Sequence, residues 1–399
     1  MQPDKPKLTL PARMDCSRPG TFAYESIHHR LPTILDRVLT ENHYPEPIEK
    51  KVRALRTELL SGTVRPIQPG SYPDGDNWDA YTQPYLGMRW RELPWFFAET
   101  YFYRRVLEAV DYFDHPPDER IDPFLTQKIL AWEMSDSALV AYAQRTNSLL
   151  NHPDSLPEML FMDLWGNRAD LSIWPADPGS QPIFNYDNQA DLLIDHSKQV
   201  KDHIQQHGGT ARIDIILDNA GLELAADLYL ACFLLESDLA QTVHLHAKHH
   251  PTFVSDTMIV DINWAVTKLE QHPHPSVRTL GTKLGQYNEN RLFLQADSYW
   301  NSPCAGWDMP DRIREELTLS TLVIFKGDAN YRRLVGDRNW SFTTPFKDVC
   351  AYFPAAMTCL RTLKSEVLTG LAPGVERALR ERDPDSFTSG RYGILQSRL

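Results

Sequence analysis

Three stretches of this chain place oxygen donors beside glycine and basic residues. The first, Ile213-Asp214-Ile215-Ile216-Leu217-Asp218-Asn219-Ala220-Gly221, is an apolar run that breaks off into an acid, an amide and a glycine. The second, Pro251-Thr252-Phe253-Val254-Ser255-Asp256-Thr257, follows the apolar run 243–247. In the third, Leu322-Val323-Ile324-Phe325 opens into Lys326-Gly327-Asp328-Ala329-Asn330-Tyr331-Arg332-Arg333. The oxygens of Asp218, Asn219 and Asp256 suit a hard divalent ion, which prefers such donors and retains waters. Lys326 and Arg332 can neutralise phosphate oxygens, and Gly327 permits a tight turn with close backbone approach. A metal flanked by phosphate-binding cations does phosphoryl chemistry. Asp328 is then the candidate for positioning a water or a sugar, or for acting as a base. Each piece taken alone has a plainer reading: Asp218 as a helix N-cap, Asn219 as a turn residue, Asp256 as a loop acid, Asp328 as a cap.

Such residues can meet only if the chain folds its apolar runs side by side. The runs 192–194, 213–217, 243–247 and 322–325 alternate with helical segments, which predicts a mostly parallel sheet with helices on both faces. Its strand-to-helix turns fall at the carboxyl edge, where open α/β folds bind ligands. The expected fold is α/β: a three-layer α/β/α metal and substrate-binding domain over 151–399, behind an all-helical N-terminal domain over 1–150. In that first part Ile48, Val52, Leu55 and Leu59 recur at helical spacing, and Gly62 sits where a C-cap belongs. Segments 31–39 and 95–110 carry similar stripes, another helix is expected from near Pro123, and 65–83 reads as a long loop. Residues 352–368 read as a helical run carrying Lys364, which alone would be a surface lysine. The tail after Arg382 reads as polar and loosely held.

The 399 residues are 42% hydrophobic and 24% charged, as is ordinary for a globular protein. A net charge of -12 leaves no basic stripe for nucleic acid, although a local cluster of Lys and Arg can hold a small phosphorylated ligand. No stretch approaches the roughly 20 apolar residues that span a bilayer, and the start lacks the apolar core of a secretory signal. Cys16, Cys232, Cys304, Cys350 and Cys359 are scattered without a C-x-x-C pair, which fits reduced thiols. A cytoplasmic protein is expected, with no nucleic-acid or membrane partner and an oligomeric state the sequence does not reveal.

The combined motifs resemble the metal-dependent damage-control phosphatase family, in its subfamily III, the branch also named after acidic-residue methyltransferases. The matching pieces are Asp218-Asn219-Ala220-Gly221 with Glu223 and Leu224, Phe325-Lys326-Gly327-Asp328 with Asn330-Tyr331-Arg332, and Arg361-Thr362-Leu363-Lys364, which fits the branch's R-T-x-K signature. Leu164-Trp165-Gly166-Asn167 with Asp170-Leu171-Ser172 is also similar, as is Pro19-Gly20-Thr21-Phe22-Ala23 with Arg30-Leu31-Pro32. The resemblance implies a metal on Asp218, Asn219 and Asp256. It implies substrate contacts from Lys326, Gly327, Asp328, Asn330, Tyr331, Arg332 and Lys364. It further implies hydrolysis of phosphomonoesters, typically fructose 1-phosphate or fructose 6-phosphate, with Mn²⁺, Ni²⁺, Co²⁺ or Mg²⁺. Ala329 departs from the pattern, which has a bulkier leucine there, and this bears on substrate preference.

Rival readings are weaker. A carboxyl methyltransferase normally needs a glycine-rich turn to cradle its cofactor, and no G-x-G-x-x-G-like run is present. A non-catalytic sugar-phosphate-binding protein would share the pocket, but the set of metal and cation positions is complete. His244, His246, His249 and His250 suggest zinc only superficially, since His244 and His246 alternate with Val243 and Leu245 on one strand face. The aromatic residues around Trp95 read as core, with Glu99 or Arg104 as candidates for a pocket wall. Asn167 and Asp170 are candidates for bracing the site loops.

Overall fold

The computed structural model describes residues 8–68, 75–166, 191–287 and 290–399; Asn167, Asp170, Leu171 and Ser172 lie outside them. Among the described residues seven strands form one sheet: β1 Leu192–Asp195, β2 Arg212–Ile216, β3 Thr242–Lys248, β4 Leu292–Asp297, β5 Leu322–Lys326, β6 Met357–Thr362 and β7 Gly393–Arg398. Their order is β1-β7-β6-β5-β2-β3-β4. Strands β2 to β6 pair in parallel with one another, β7 is antiparallel to β6, and β1 is parallel to β7. The α/β class and mostly parallel sheet therefore match expectation.

Two sequence readings are corrected. Residues 357–362 are strand rather than helix, and all six are buried. A strand covered on both faces shows no alternation, so its apolar run mimics a helix. The tail is not loose either: Ser386 and Phe387 are buried, and β7 fills the gap between β1 and β6. Its backbone hydrogen bonds to β6 hold what its polar composition does not.

Alternate residues of the central strands face two cores. Ile213, Ile215, Leu322 and Ile324 share one core with helices Asp136–Leu149, Leu156–Gly166 and Leu222–Glu236. Ile216, Val323, Phe325, Met357 and Cys359 share the other with Trp300, Trp307, Tyr331 and Phe353. Helix Leu222–Glu236 is buried along nearly its whole length, which explains its lack of a polar face. A third core belongs to the N-terminal helices Leu31–Glu41, Glu46–Ser61 and Trp95–Ala109 and reaches Phe124. Trp132, Leu139 and Tyr142 pack instead with the sheet's helices, so part of the expected first domain supports the second. Val254, from the loop after β3, plugs into the N-terminal core. Among the described residues no helix is long and apolar enough to cross a membrane.

Candidate active site

Strands β2 and β5 lie side by side, while the chain leaves β2 towards β3 and leaves β5 towards β6. That divergence opens a crevice at their carboxyl ends. Asp218 and Asn219 follow β2, and Gly327 and Asp328 follow β5 across the gap. Gly327 has φ +78°, and a Cβ there would sit 1.8 Å from Asp218 Oδ2. Both its backbone conformation and the acid against it require glycine. Helix Leu222–Glu236 starts behind Gly221, so Asp218 is not its cap.

The loop after β3 closes on the turn after β2. The Ala220 amide donates to Ser255 O (2.7 Å) and the Thr257 amide to Asp218 O (2.8 Å), which sets Asn219 opposite Asp256 in a short antiparallel bridge. Phe253 (φ 48°) and Val254 (φ 70°) enter this loop in the left-handed region, a costly conformation for a β-branched residue that is found where function fixes the backbone. Lys248 Nζ spans the junction, donating to Leu217 O at 3.1 Å and lying 3.3 Å from Asp256 Oδ2. Asn219 Nδ2 donates to Asp218 Oδ2 (2.9 Å) and Glu223 Oε2 (2.8 Å), while its Oδ1 accepts from Ser255 Oγ (2.6 Å). Glu223 thus fixes the amide, beyond the first-turn dipole role that its position suggests.

Asp218, Asn219, Ser255 and Asp256 line one cleft of about 60 Å³, with Asp328, Ala329, Arg332, Lys364, Phe22, Arg30, Trp95, Glu99 and Phe253 around them. Burial, then the charges of Asp256 and Glu223, push the Asp218 carboxyl well above the ordinary range, while Lys248 and Lys364 pull it back. Burial and neighbouring like charge together disfavour an ionised Asp218, and a divalent ion would relieve both. Among the described residues no three His, Cys, Asp or Glu gather as ligands. The fit is to two carboxylates plus an amide oxygen, with water or substrate completing the shell, as a hard ion accepts.

The expected substrate residues divide. Asp328 and Lys364 line the cleft, and Arg332 does so from a nearly buried position. Arg332 pairs with Glu99 (2.7 Å) and Asp337 (2.8 Å) and lies 3.5 Å over the Trp95 ring; among the described residues its Nη2 has no hydrogen-bond partner. Asp328 Oδ1 accepts from Arg361 Nε (2.9 Å) and Nη2 (2.6 Å), from Ser365 Oγ (3.0 Å) and from the Lys364 amide (3.2 Å). Burial alone would raise the Asp328 pKa, but the charges of Arg361 and Arg332 and these hydrogen bonds bring it below the usual value.

Lys326, Asn330 and Tyr331 do not line the cleft. Lys326 is buried beneath it, 2.6 Å from Asp163 and 2.8 Å from Asp227. Asn330 donates to Leu217 O and Lys326 O, tying the two turns together. Tyr331 donates to Gln396 (3.0 Å), and Arg361 covers its ring at 4.3 Å. Glu99 does face the cleft, whereas Arg104 packs on Phe113. Sequence reading assigned no role to Arg30, Lys248, Ser255 or Asp163 and read Trp95 as core, whereas Trp95 lines the cleft. Arg30 and Phe22 stood inside a matching motif, but nothing in their spacing said where the N-terminal helices would dock.

The damage-control phosphatase ARMT1-like domain matches residues 26–379 of this chain. The chain belongs to that family. Similar proteins include the damage-control phosphatase ARMT1 of Macaca fascicularis (32% identical), of Homo sapiens (31%) and of Mus musculus (34%), each covering 97% of this chain and 98% of the relative. A solved DUF89 family protein from Pyrococcus horikoshii is 13% identical, with a TM-score of 0.49 over 94% of this chain and 96% of that one.

Proposed function

We propose that the chain is a metal-dependent phosphatase that hydrolyses phosphomonoesters of small metabolites, with fructose 1-phosphate and fructose 6-phosphate as its type of substrate. The observation that carries this reading is the convergence of Asp218, Asn219 and Asp256 with Asp328, Arg332 and Lys364 on one cleft. A divalent ion (Mn²⁺, Ni²⁺, Co²⁺ or Mg²⁺) held by Asp218, Asn219 and Asp256 would polarise the phosphoryl group and supply an activated water. Arg332 and Lys364 offset charge on the phosphoryl oxygens. Asp328 keeps Oδ1 saturated by Arg361 and Ser365, which leaves Oδ2 to accept a proton-bearing hydroxyl from water or sugar. Its lowered pKa makes it an acceptor rather than an acid. Glu223 and Ser255 hold the Asn219 amide in one orientation. Trp95, Phe22 and Phe253 offer an apolar wall to the sugar, and Ala329 leaves more room beside it than leucine would. Lys326, Asn330 and Tyr331 act by fixing the turn that carries Gly327 and Asp328. Five free thiols favour a cytoplasmic setting.

Purified protein should release phosphate from p-nitrophenyl phosphate or a hexose phosphate only with a divalent ion present. Full activity after exhaustive chelation sinks the metal role. Asp218→Ala and Asp256→Ala should each abolish turnover while the far-ultraviolet circular dichroism melt stays cooperative; unchanged rates would remove either residue from the reaction.

A further inference from the structure

A larger cavity, about 230 Å³, lies between the N-terminal segment and the α/β part, and Arg332 lines both it and the cleft. Arg13, Arg333 and Arg338 line it as well, with Asp337 and Asp308 as its carboxylates. Asp337 is already committed, Oδ1 to Arg332 (2.8 Å) and Oδ2 to the Phe96 amide (3.0 Å). Asp308 is exposed. Four guanidinium groups against two carboxylates leave this space positive in a chain whose net charge is -12.

Neutral oxygens take several of these donors: Arg13 donates to the Tyr85 hydroxyl and Arg338 Nη1 to Pro11 O. Arg333 is buried, and its Nη atoms donate to the carbonyls of Cys304 (2.7 Å) and Trp300 (2.9 Å) rather than to an acid. Among the described residues, its Nε and the Nε of Arg338 are buried without a hydrogen-bond partner, a costly state that proteins seldom leave unanswered. Arg13 and Arg338 face each other directly in an antiparallel bridge, where like charges repel. Burial and then the neighbouring Arg13 charge lower the Arg338 pKa, against smaller opposing effects of Asp308 and Tyr85. Tyr85 and Trp307 supply the flat walls.

We propose that this cavity is a second, metal-independent anion site that takes a phosphoryl dianion, free or on a small organic group, between Arg13, Arg333 and Arg338. A guanidinium suits phosphoryl oxygens through its several fixed donors, and here three such groups surround one space. The proposal stands without the phosphatase reading, because nothing in this cavity needs Asp218 or Asp256.

The test is isothermal titration calorimetry of the full chain in excess chelator, with inorganic phosphate and with glucose 6-phosphate as separate probes. Saturable binding is expected for at least one probe; preference for phosphate or for the ester tells which source the site suits. R13Q and R338Q should each weaken that binding by roughly tenfold, the scale of one charge-assisted contact. K364A, which removes a cation that only the cleft has, should keep it. Without phosphate, R13Q should melt no lower than wild type, since it relieves a like-charge contact. No binding in chelator overturns the proposal, as does binding lost in K364A but kept in R13Q and R338Q. A clearly lower melt for phosphate-free R13Q also overturns it, by making Arg13 a structural cation.

Discussion

Lys326 and Lys364 sit at the carboxyl ends of adjacent parallel strands, yet they live in opposite worlds. Lys326 ends β5 with its ammonium turned down among helices, where Asp163, Asp227 and the more distant Glu223 surround it. Burial alone would strip its proton, but these carboxylates hold its pKa far above the ordinary value. The same burial, with Asp163 and Glu223 beside it, raises the Asp227 pKa well above the carboxylate range despite Lys326. Lys364 lies two residues past β6, at the mouth of the cleft, on a turn that Arg361 clamps through Val367 O and Asp328. A cation buried among carboxylates holds a turn, and a cation that lines the cleft stands where substrate would bind.

That contrast can be broken most forcefully at Lys326. K326M strands the buried carboxylates and should cost about 3–5 kcal/mol in urea denaturation, whereas K364M should stay within about 1 kcal/mol of wild type. Equal stabilities would erase the distinction. Next in size is G327A, which meets both the left-handed φ and the Asp218 carboxylate. A loss of about 1–3 kcal/mol is expected, with turnover falling further than stability explains, and a wild-type melt would mean the turn is free to shift. K364M should then lower kcat/KM for a phosphomonoester about tenfold, mainly through KM, as loss of one charge-assisted contact would. A change confined to kcat would move Lys364 from binding to the chemical step.

The smallest effect concerns pH. Asp328 has a folded pKa below its unfolded value, so the unfolded chain binds the proton more readily. Its contribution is complete above the unfolded pKa of about 3.9 and is lost as pH falls through the folded value. D328N should therefore melt with a shallower acid limb below about pH 4. An unaltered limb would show that Arg361 does not discriminate between the charged and neutral side chain.

Legibility followed the environment of each segment. Strands β2, β3 and β5 were readable because each pairs an apolar run with an abrupt polar turn. Strand β6 was not, because burial on both faces removes the alternation that marks a strand. Strand β7 was missed because its place in the sheet comes from pairing with β6, a partner far away in sequence. The acids and amide of the cleft were found as residue types at strand ends. Asp163 was not, although it directly precedes the Leu164-Trp165-Gly166-Asn167 stretch, because its meaning comes from its pairing with Lys326, far away in sequence.

The sequence by itself determined which turns carry oxygen donors, because an apolar strand that stops at Asp-Asn or Lys-Gly-Asp leaves those groups at the sheet edge wherever the sheet forms. It also placed at 327 a glycine that permits a tight turn, whereas the left-handed backbone and the Asp218 carboxylate that make glycine necessary there belong to the folded structure. Which basic residues face the cleft was decided by tertiary structure. Two lysines after neighbouring strands look alike in the chain, and their roles separate only when helix packing buries one among acids and an arginine-clamped turn lifts the other to the opening.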